Sequence, residues 1–457
     1  MTAATPPFDL VLRGGCCLTP NGREILDIGI RGDTIHALGD LGLQPAATTL
    51  DIRGLHVLPG PIDTQVHFSE PGLTAKEDLE TGSRAAVAGG VTTVFEMPNT
   101  APPTTDATAL ADKLRRAQGR MWCHHAFFIG ATADPETPWE HWERLPGCAG
   151  IKLFLGSSTG PLLVDDQAAL ERLFARSRRR MPVHAEDETR LRERRALAER
   201  AGHPRAHPVW RDEQAALIAT RRIVALANAF AHPLHVLHVT TAEEMALLAD
   251  HKTLVSVEVT PQHLTLVAPE AYERLGTLAQ MNPPLRDERH RRALWAALAE
   301  GVVDVIGSDH APHTLEEKRT PYPNSPSGMP GVQFLLPIML DHVHRGHLTL
   351  ERLVDLTASG PARLYGIRRK GRIARGFDAD LAVVDTAQRQ RIDNQRVMSR
   401  CGWTPYHDTW VTGWPRFTVV AGQLAMADGE LQGSPQGRPV AFFDTLPTGS
   451  GALAPRV

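Results

Sequence analysis

Short apolar runs in this 457-residue chain repeatedly end on side chains that can hold a metal ion or move a proton. "LHVLPGPIDTQVHF" delivers His67, "MPVHAEDE" carries His184, "LHVLHVTT" carries His238, and "VVDVIGSDHAPH" supplies Asp309, His310 and His313. "GIKLFLGSSTG" places Lys152 among apolar neighbours, where an ammonium is costly unless it is paired, neutralised or modified. Singly, each has an ordinary structural explanation, and His124, His125, His235 and His263 are read that way. At the same end of successive runs, however, three imidazoles, a carboxylate and a strand-borne lysine match a centre that binds a divalent metal and activates water. Zn²⁺ suits these donors, as one ion or two, with Mn²⁺, Co²⁺ and Fe²⁺ open. Two ions close together need a bridging anion, which Lys152 supplies if its amine takes up CO₂ as a carbamate.

The elements that must position these groups follow from the pattern. Eight apolar runs alternate with helical stretches such as "EDLETGSRAAVAGG", "QAALIATRRIVALANAF" and "HRRALWAALAEG". The runs not yet quoted are "VTTVFEMPNT", which ends near Asn99, "MWCHHAFFIGA" and "VSVEVTPQHL". Continuous apolar strands followed by helices imply a parallel sheet, and eight such units imply an α/β fold of the closed (β/α)₈ type. An open doubly wound sheet competes, but no G-x-G-x-x-G follows a strand. Alternating segments flank the barrel on both sides: "FDLVLRGG", "ILDIGIRGD", "TIHALGD" and "TLDIRG" before it, "KGRIARGFDADLAVVD" and "TVVAGQLAMADGE" after it. The expected organisation is a small β-sandwich built from both chain ends, residues 1–58 and 368–457, around a barrel at 59–367. The final "LPTGSGALAPRV" reads as a loose tail.

Composition narrows the function classes. A chain 42% hydrophobic and 22% charged has material for a sizeable core. A net charge of −3 leaves no basic footprint for nucleic acid or for an anionic membrane. No apolar run approaches the length of a membrane span, and "MTAATPPFDLVLRGG" lacks the pattern of a signal peptide. Five cysteines without a C-x-x-C pair fit free thiols in a reducing cytoplasm.

Taken together, "LPGPIDTQVHFSEPGLT", "GGVTTVFEMPNTAPPTT", "GIKLFLGSSTG", "HAEDE", "HPVWRDEQAAL", "TPQHL", "MNPPLR", "GSDHAPHTLEEK" and "SPSGMPGVQ" resemble the cyclic amidohydrolases, and within them the class I dihydroorotases. The likeness covers nearly the whole chain. It implies a metal-dependent hydrolase that interconverts dihydroorotate and N-carbamoyl-aspartate in pyrimidine synthesis. On that resemblance His67, Lys152 as its carbamate, His184, His238 and Asp309 are metal ligands, and Asp309 is also the general acid/base. Asn99, Asn282 and His313 hold the substrate, and Ser327 and Gly328 contact it through their backbone. Homo-oligomers are plausible, and the loop-like 314–328 segment is placed to cover the site.

Two positions depart from the family pattern. Gln65 stands where the family's H-x-H has its first histidine, and Ser69 stands where dihydroorotases place an arginine against the substrate carboxylate. Losing that charge-assisted contact costs about 1.5–3 kcal/mol of binding. Two alternatives therefore stay open: a related enzyme acting on a hydantoin, allantoin or dihydropyrimidine ring, and a non-catalytic dihydroorotase-like partner of aspartate transcarbamoylase.

Overall fold

A computed structural model describes residues 7–158 and 160–447. Most of the expected C-terminal tail lies outside the described residues.

Eight parallel strands form one sheet in strict sequence order: Ile62–Val66, Thr93–Glu96, His124–Gly130, Cys148–Phe154, Met181–His184, Leu234–Val236, Val255–Val259 and Val305–Ile306. Every residue in them is buried, which is why the sequence shows unbroken apolar runs rather than alternation. The last strand returns to the first. Val66 bridges His310, the His67 N–H donates to the His310 carbonyl at 2.7 Å, and the Ser308 N–H donates to Asp63 Oδ1 at 3.0 Å. The barrel is thereby closed at the level of the functional residues.

Acidic or hydroxyl side chains cap the helices that alternate with the strands. Asp78, Asp106, Asp166, Asp187, Asp212 and Thr241 each accept from a backbone N–H in the first turn of the following helix. Each cap satisfies an otherwise orphaned donor, worth about 1 kcal/mol. It also fixes where the chain turns away from the barrel mouth. The helices expected from the sequence are present at Leu79–Ala88, Glu213–Phe230 and Glu288–Ala299.

The two chain ends share a second, nine-stranded mixed sheet. Strand Phe8–Thr19 is its pivot: it pairs antiparallel with Gly22–Arg31 and parallel with both Ala46–Asp51 and His56–Pro59. His56–Pro59 then pairs antiparallel with Leu381–Arg391, joining the two ends. Leu12, Ile28, Ile30, Val57, Leu381 and Val383 from both ends close on one core with no measurable exposure beyond 1%. All five cysteines are free.

One buried ion pair supports the barrel mouth directly. Glu96, last residue of the second strand, meets Lys113 of helix Ala107–Ala117, and both are fully buried. Lys113 Nζ also donates to the Met97 carbonyl at 3.2 Å, two residues before Asn99. Removing one member of such a pair strands a charge, at about 3–5 kcal/mol. Lys113→Ala is expected to lose that much in urea unfolding, whereas Lys113→Met combined with Glu96→Leu should recover most of it.

Candidate functional site

The residues assigned to the site from the sequence line a single cavity at the carboxyl end of the barrel, whereas His310 is buried against Glu77 and the Gly331 N–H. His67, Lys152, His184, His238 and Asp309 are in that cavity, and so are Ser69, Asn99, Asn282, His313, Ser327 and Gly328. Gln65 joins them, together with four residues not anticipated: Lys76, Phe154, Ser158 and Ala311. His124, His125, His235 and His263 are buried elsewhere. Three of these are tied to Asp380 Oδ1, Ser256 Oγ and Thr260 Oγ1 at 2.7–3.0 Å.

The backbone is strained where the site is built. Ser69, His238 and Asp309 adopt φ of 65°, 37° and 43°, a region that costs non-glycine residues about 1–3 kcal/mol each. At His238 and Asp309 the twist ends the strand and turns the side chain across the barrel opening.

The side chains form two linked clusters. His184 Nδ1 lies 3.0 Å from His238 Nε2. On the other side, Asp309 Oδ1 accepts from Gln65 Nε2 at 3.0 Å and lies 3.2 Å from His67 Nε2, while His67 Nδ1 meets Asn99 Oδ1 at 2.8 Å. The Gln65 amide is oriented by chemistry: turned over, its oxygen would face the carboxylate. Behind His184, Glu186 is buried and held by Arg211 Nε at 3.1 Å. His184 Nε2 lies 2.9 Å from Glu186 Oε2 without the alignment of a hydrogen bond. The sequence reading passed over Glu186 and Arg211, although "HAEDE" and "HPVWRDE" contain them.

Lys152 sits at 1% exposure, its Nζ over the Phe154 ring at 4.5 Å and without a hydrogen bond. Burial pushes its ammonium down to about 7, against the opposing pull of Asp309 and Glu258. Burial works to raise the Asp309 carboxyl, but the His67 hydrogen bond and the neighbouring His238 and His184 outweigh it and hold it at about 2. Burial lowers His184, and His238 well below the ordinary histidine value. Both rings are neutral near pH 7, as ligating imidazoles must be.

Among the described residues, no three His, Cys, Asp or Glu side chains are already splayed around a common point; the rings close on one another instead. The donors nevertheless fit a divalent ion. Lys152 Nζ, His238 Nδ1 and Gln65 Oε1 are all buried without a hydrogen-bond partner. Orphaned polar atoms clustered in one cavity are costly unless something else satisfies them.

Asn282 and the 326–328 segment form the facing wall. His207 Nε2 lies 2.9 Å from Asn282 Oδ1, and His313 Nε2 donates to the Ser327 carbonyl at 3.2 Å. Burial pushes His313 down to about 4, against its contact with Glu317. It is therefore a neutral imidazole. The 314–328 segment, expected as a loop, contains the short helix Leu315–Lys318, whose Lys318 is almost fully buried. Its Nζ donates to the carbonyls of Pro326 and Gly328, both at 2.9 Å, and of Gln280 at 3.2 Å.

The chain is similar to several known proteins. The amidohydrolase family profile matches residues 56–425. A dihydroorotase of Halobacterium salinarum is 37% identical over 427 residues, covering 91% of this chain and 97% of that protein. An allantoinase of Deinococcus radiodurans is 33% identical, covering 94% and 98%. Among solved structures, an L-hydantoinase (dihydropyrimidinase) from Arthrobacter aurescens superposes with a TM-score of 0.89 at 29% identity, over 95% of this chain and 99% of that one.

Charge-assisted bonds of the Lys318 kind are worth about 1.5–3 kcal/mol. Lys318→Met is expected to speed amide exchange across residues 322–330 about tenfold or more. The barrel strands should exchange as before in the same mass-spectrometric experiment.

Proposed function

The chain belongs to the amidohydrolase family, and we propose that it is a metal-dependent dihydroorotase, opening dihydroorotate to N-carbamoyl-aspartate and closing it again. The observation that carries this reading is the convergence of His67, Lys152, His184, His238 and Asp309 on one cavity, with Lys152 Nζ buried and unbonded. These five would hold the metal, with Zn²⁺ the best match to imidazole and carboxylate donors and Lys152 acting as its carbamate. When bound, such an ion supplies Lewis-acid polarisation of the ring carbonyl and lowers the pKa of water.

The protein's own groups do the rest. Asp309 takes the proton of the attacking water and returns it to the leaving ring nitrogen, so one carboxylate serves both directions. Gln65 holds that carboxylate through its amide N–H. It is a neutral amide where an imidazole would bind metal more strongly, so a metal ion held on this side would be bound the more weakly. Asn99 and Asn282 hold the ring from opposite walls, and the backbone at Ser327 and Gly328 closes over it. The relative named dihydroorotase at 37% identity over nearly its full length supports the choice of substrate.

A second reading is a hydantoin, allantoin or dihydropyrimidine hydrolase. Ser69 and the likeness to the hydantoinase favour it. Steady-state opening of dihydroorotate, beside hydantoin, allantoin and dihydrouracil, on Zn²⁺-reconstituted protein of known metal content separates the two. Preference for an uncharged ring would reverse the assignment.

Lys152→Ala is expected to lower bound metal and to reduce turnover at least about a thousandfold, the scale of losing the activated water. Full activity in that variant would remove the carbamate from the mechanism. A chelator should abolish activity, and added Zn²⁺ should restore it.

A further inference from the structure

The cavity contains a cation that neither the metal centre nor the ring contacts use. Lys76 lines it at 8% exposure, yet its ammonium makes no hydrogen bond or ion pair among the described residues. A buried lysine is ordinarily paired, and each nearby acid is committed elsewhere. Glu77 accepts from the Arg400 N–H and lies 3.3 Å from His310 Nε2. Asp78 caps its own helix and meets the Arg400 guanidinium. Glu70 is held by Arg120 at 2.8 and 3.1 Å. Glu317, whose charge acts on Lys76 from beyond ion-pair distance, accepts from the Thr314 N–H and faces His313 at 3.5 Å.

The loop that carries Lys76 brings it back to the wall where Ser69 stands. The Leu73 N–H donates to the Ser69 carbonyl at 3.0 Å, and the Lys76 N–H donates to the Leu73 carbonyl at 3.3 Å. Gly72, at φ 89°, passes so close to Ala101 that a Cβ would fall 1.8 Å from its carbonyl oxygen, so only glycine permits this path. Glu70 anchors the far end by accepting from the Leu79 N–H at 3.2 Å. Ser69 meanwhile turns its hydroxyl toward the His67 carbonyl, at 3.4 Å. Of the other groups on that wall, Asn99 is an amide and His313 a neutral imidazole. None of the three supplies charge.

Resting on the dihydroorotase reading, we infer that Lys76 binds the carboxylate of the substrate, taking the part that an arginine at position 69 would otherwise play, and so restricts the site to ring amides that carry an anion. The unpaired ammonium in the free enzyme is then a contact already in place, and the ion pair forms when substrate enters. This also removes the argument that Ser69 makes for an uncharged ring.

The test compares wild type with Lys76→Met, Lys76→Gln, Lys76→Arg and the double variant S69R/K76M, all Zn²⁺-reconstituted, with metal content and Tm measured on each. The readouts are KM and kcat for dihydroorotate and competitive inhibition by orotate and by uracil, the same ring without the carboxylate. Loss of a charge-assisted contact predicts KM and the orotate inhibition constant raised about ten- to a hundredfold in the Met and Gln variants. The expected kcat stays within about threefold, uracil inhibition is unchanged, and the Arg variant and the double variant recover most of the loss. Gln keeps the test readable if Met disturbs packing. Unaltered KM and orotate inhibition in well-folded, metal-loaded Met or Gln variants would overturn the assignment of Lys76 alone. So would equal weakening of orotate and uracil. Wild-type protein that binds metal but opens no dihydroorotate would overturn the functional reading, and this inference with it.

Discussion

A lysine amine held inside a barrel with nothing to bond is the interaction on which the rest of this structure turns. Lys152 Nζ is over an aromatic ring, 1% exposed, and shares its cavity with His238, which has an orphaned nitrogen of its own. Such an arrangement is unfavourable by itself, because each unmet polar atom costs about 1–3 kcal/mol. It persists because the surrounding fold over-determines it. Eight strands of fully buried residues supply the hydrophobic stabilisation, at about 1.5–3 kcal/mol per large aliphatic side chain. The bridge between Val66 and His310 then locks first strand to last at the depth where the donors emerge.

The same economy explains the backbone. Left-handed φ at Ser69, His238 and Asp309 is tolerated where rigid strands end, and helix caps fix the exit of the chain within a few residues. Strained backbone and unpartnered polar atoms both occur in the cavity, and ion pairs such as Glu96–Lys113 and Lys370–Asp380 are buried away from it.

Much of this was legible in the sequence, for a physical reason. A parallel barrel buries both faces of every strand, so its strands write themselves as continuous apolar runs, and the residue after each run lands at the mouth. His67, His184, His238 and Asp309 were found by that rule alone, and Lys152 by the oddity of a cation in such a run. What could not be read depends on contacts distant along the chain. The parallel pairing of Phe8–Thr19 with Ala46–Asp51, and the junction of His56–Pro59 with Leu381–Arg391, leave no local trace beyond alternation. Lys76 lies in a polar loop where a charged residue is unremarked; only the turn through Gly72 and the commitment of its acidic neighbours expose it. Glu186 and Arg211 were likewise invisible as a pair, being 25 residues apart in the chain.

Charge placement gives the cavity a direction. Asp309 and Lys152 lie on the barrel floor with the three imidazoles, and the lone ammonium of Lys76 stands on the loop wall beside Ser69 and Asn99. On the inference drawn above, an amide ring bearing a carboxylate would bind with its anionic substituent toward Lys76 and its scissile carbonyl toward the floor. Gln65 sharpens the contrast. Its N–H ties Asp309 to one side of the floor without adding the charge or metal affinity of a histidine, so the carboxylate keeps an oxygen for proton transfer. The two residues that depart from the family pattern thus lie in the same cavity in different settings: Gln65 donates to Asp309, and Ser69 lines the cavity with Lys76, seven residues later in the chain.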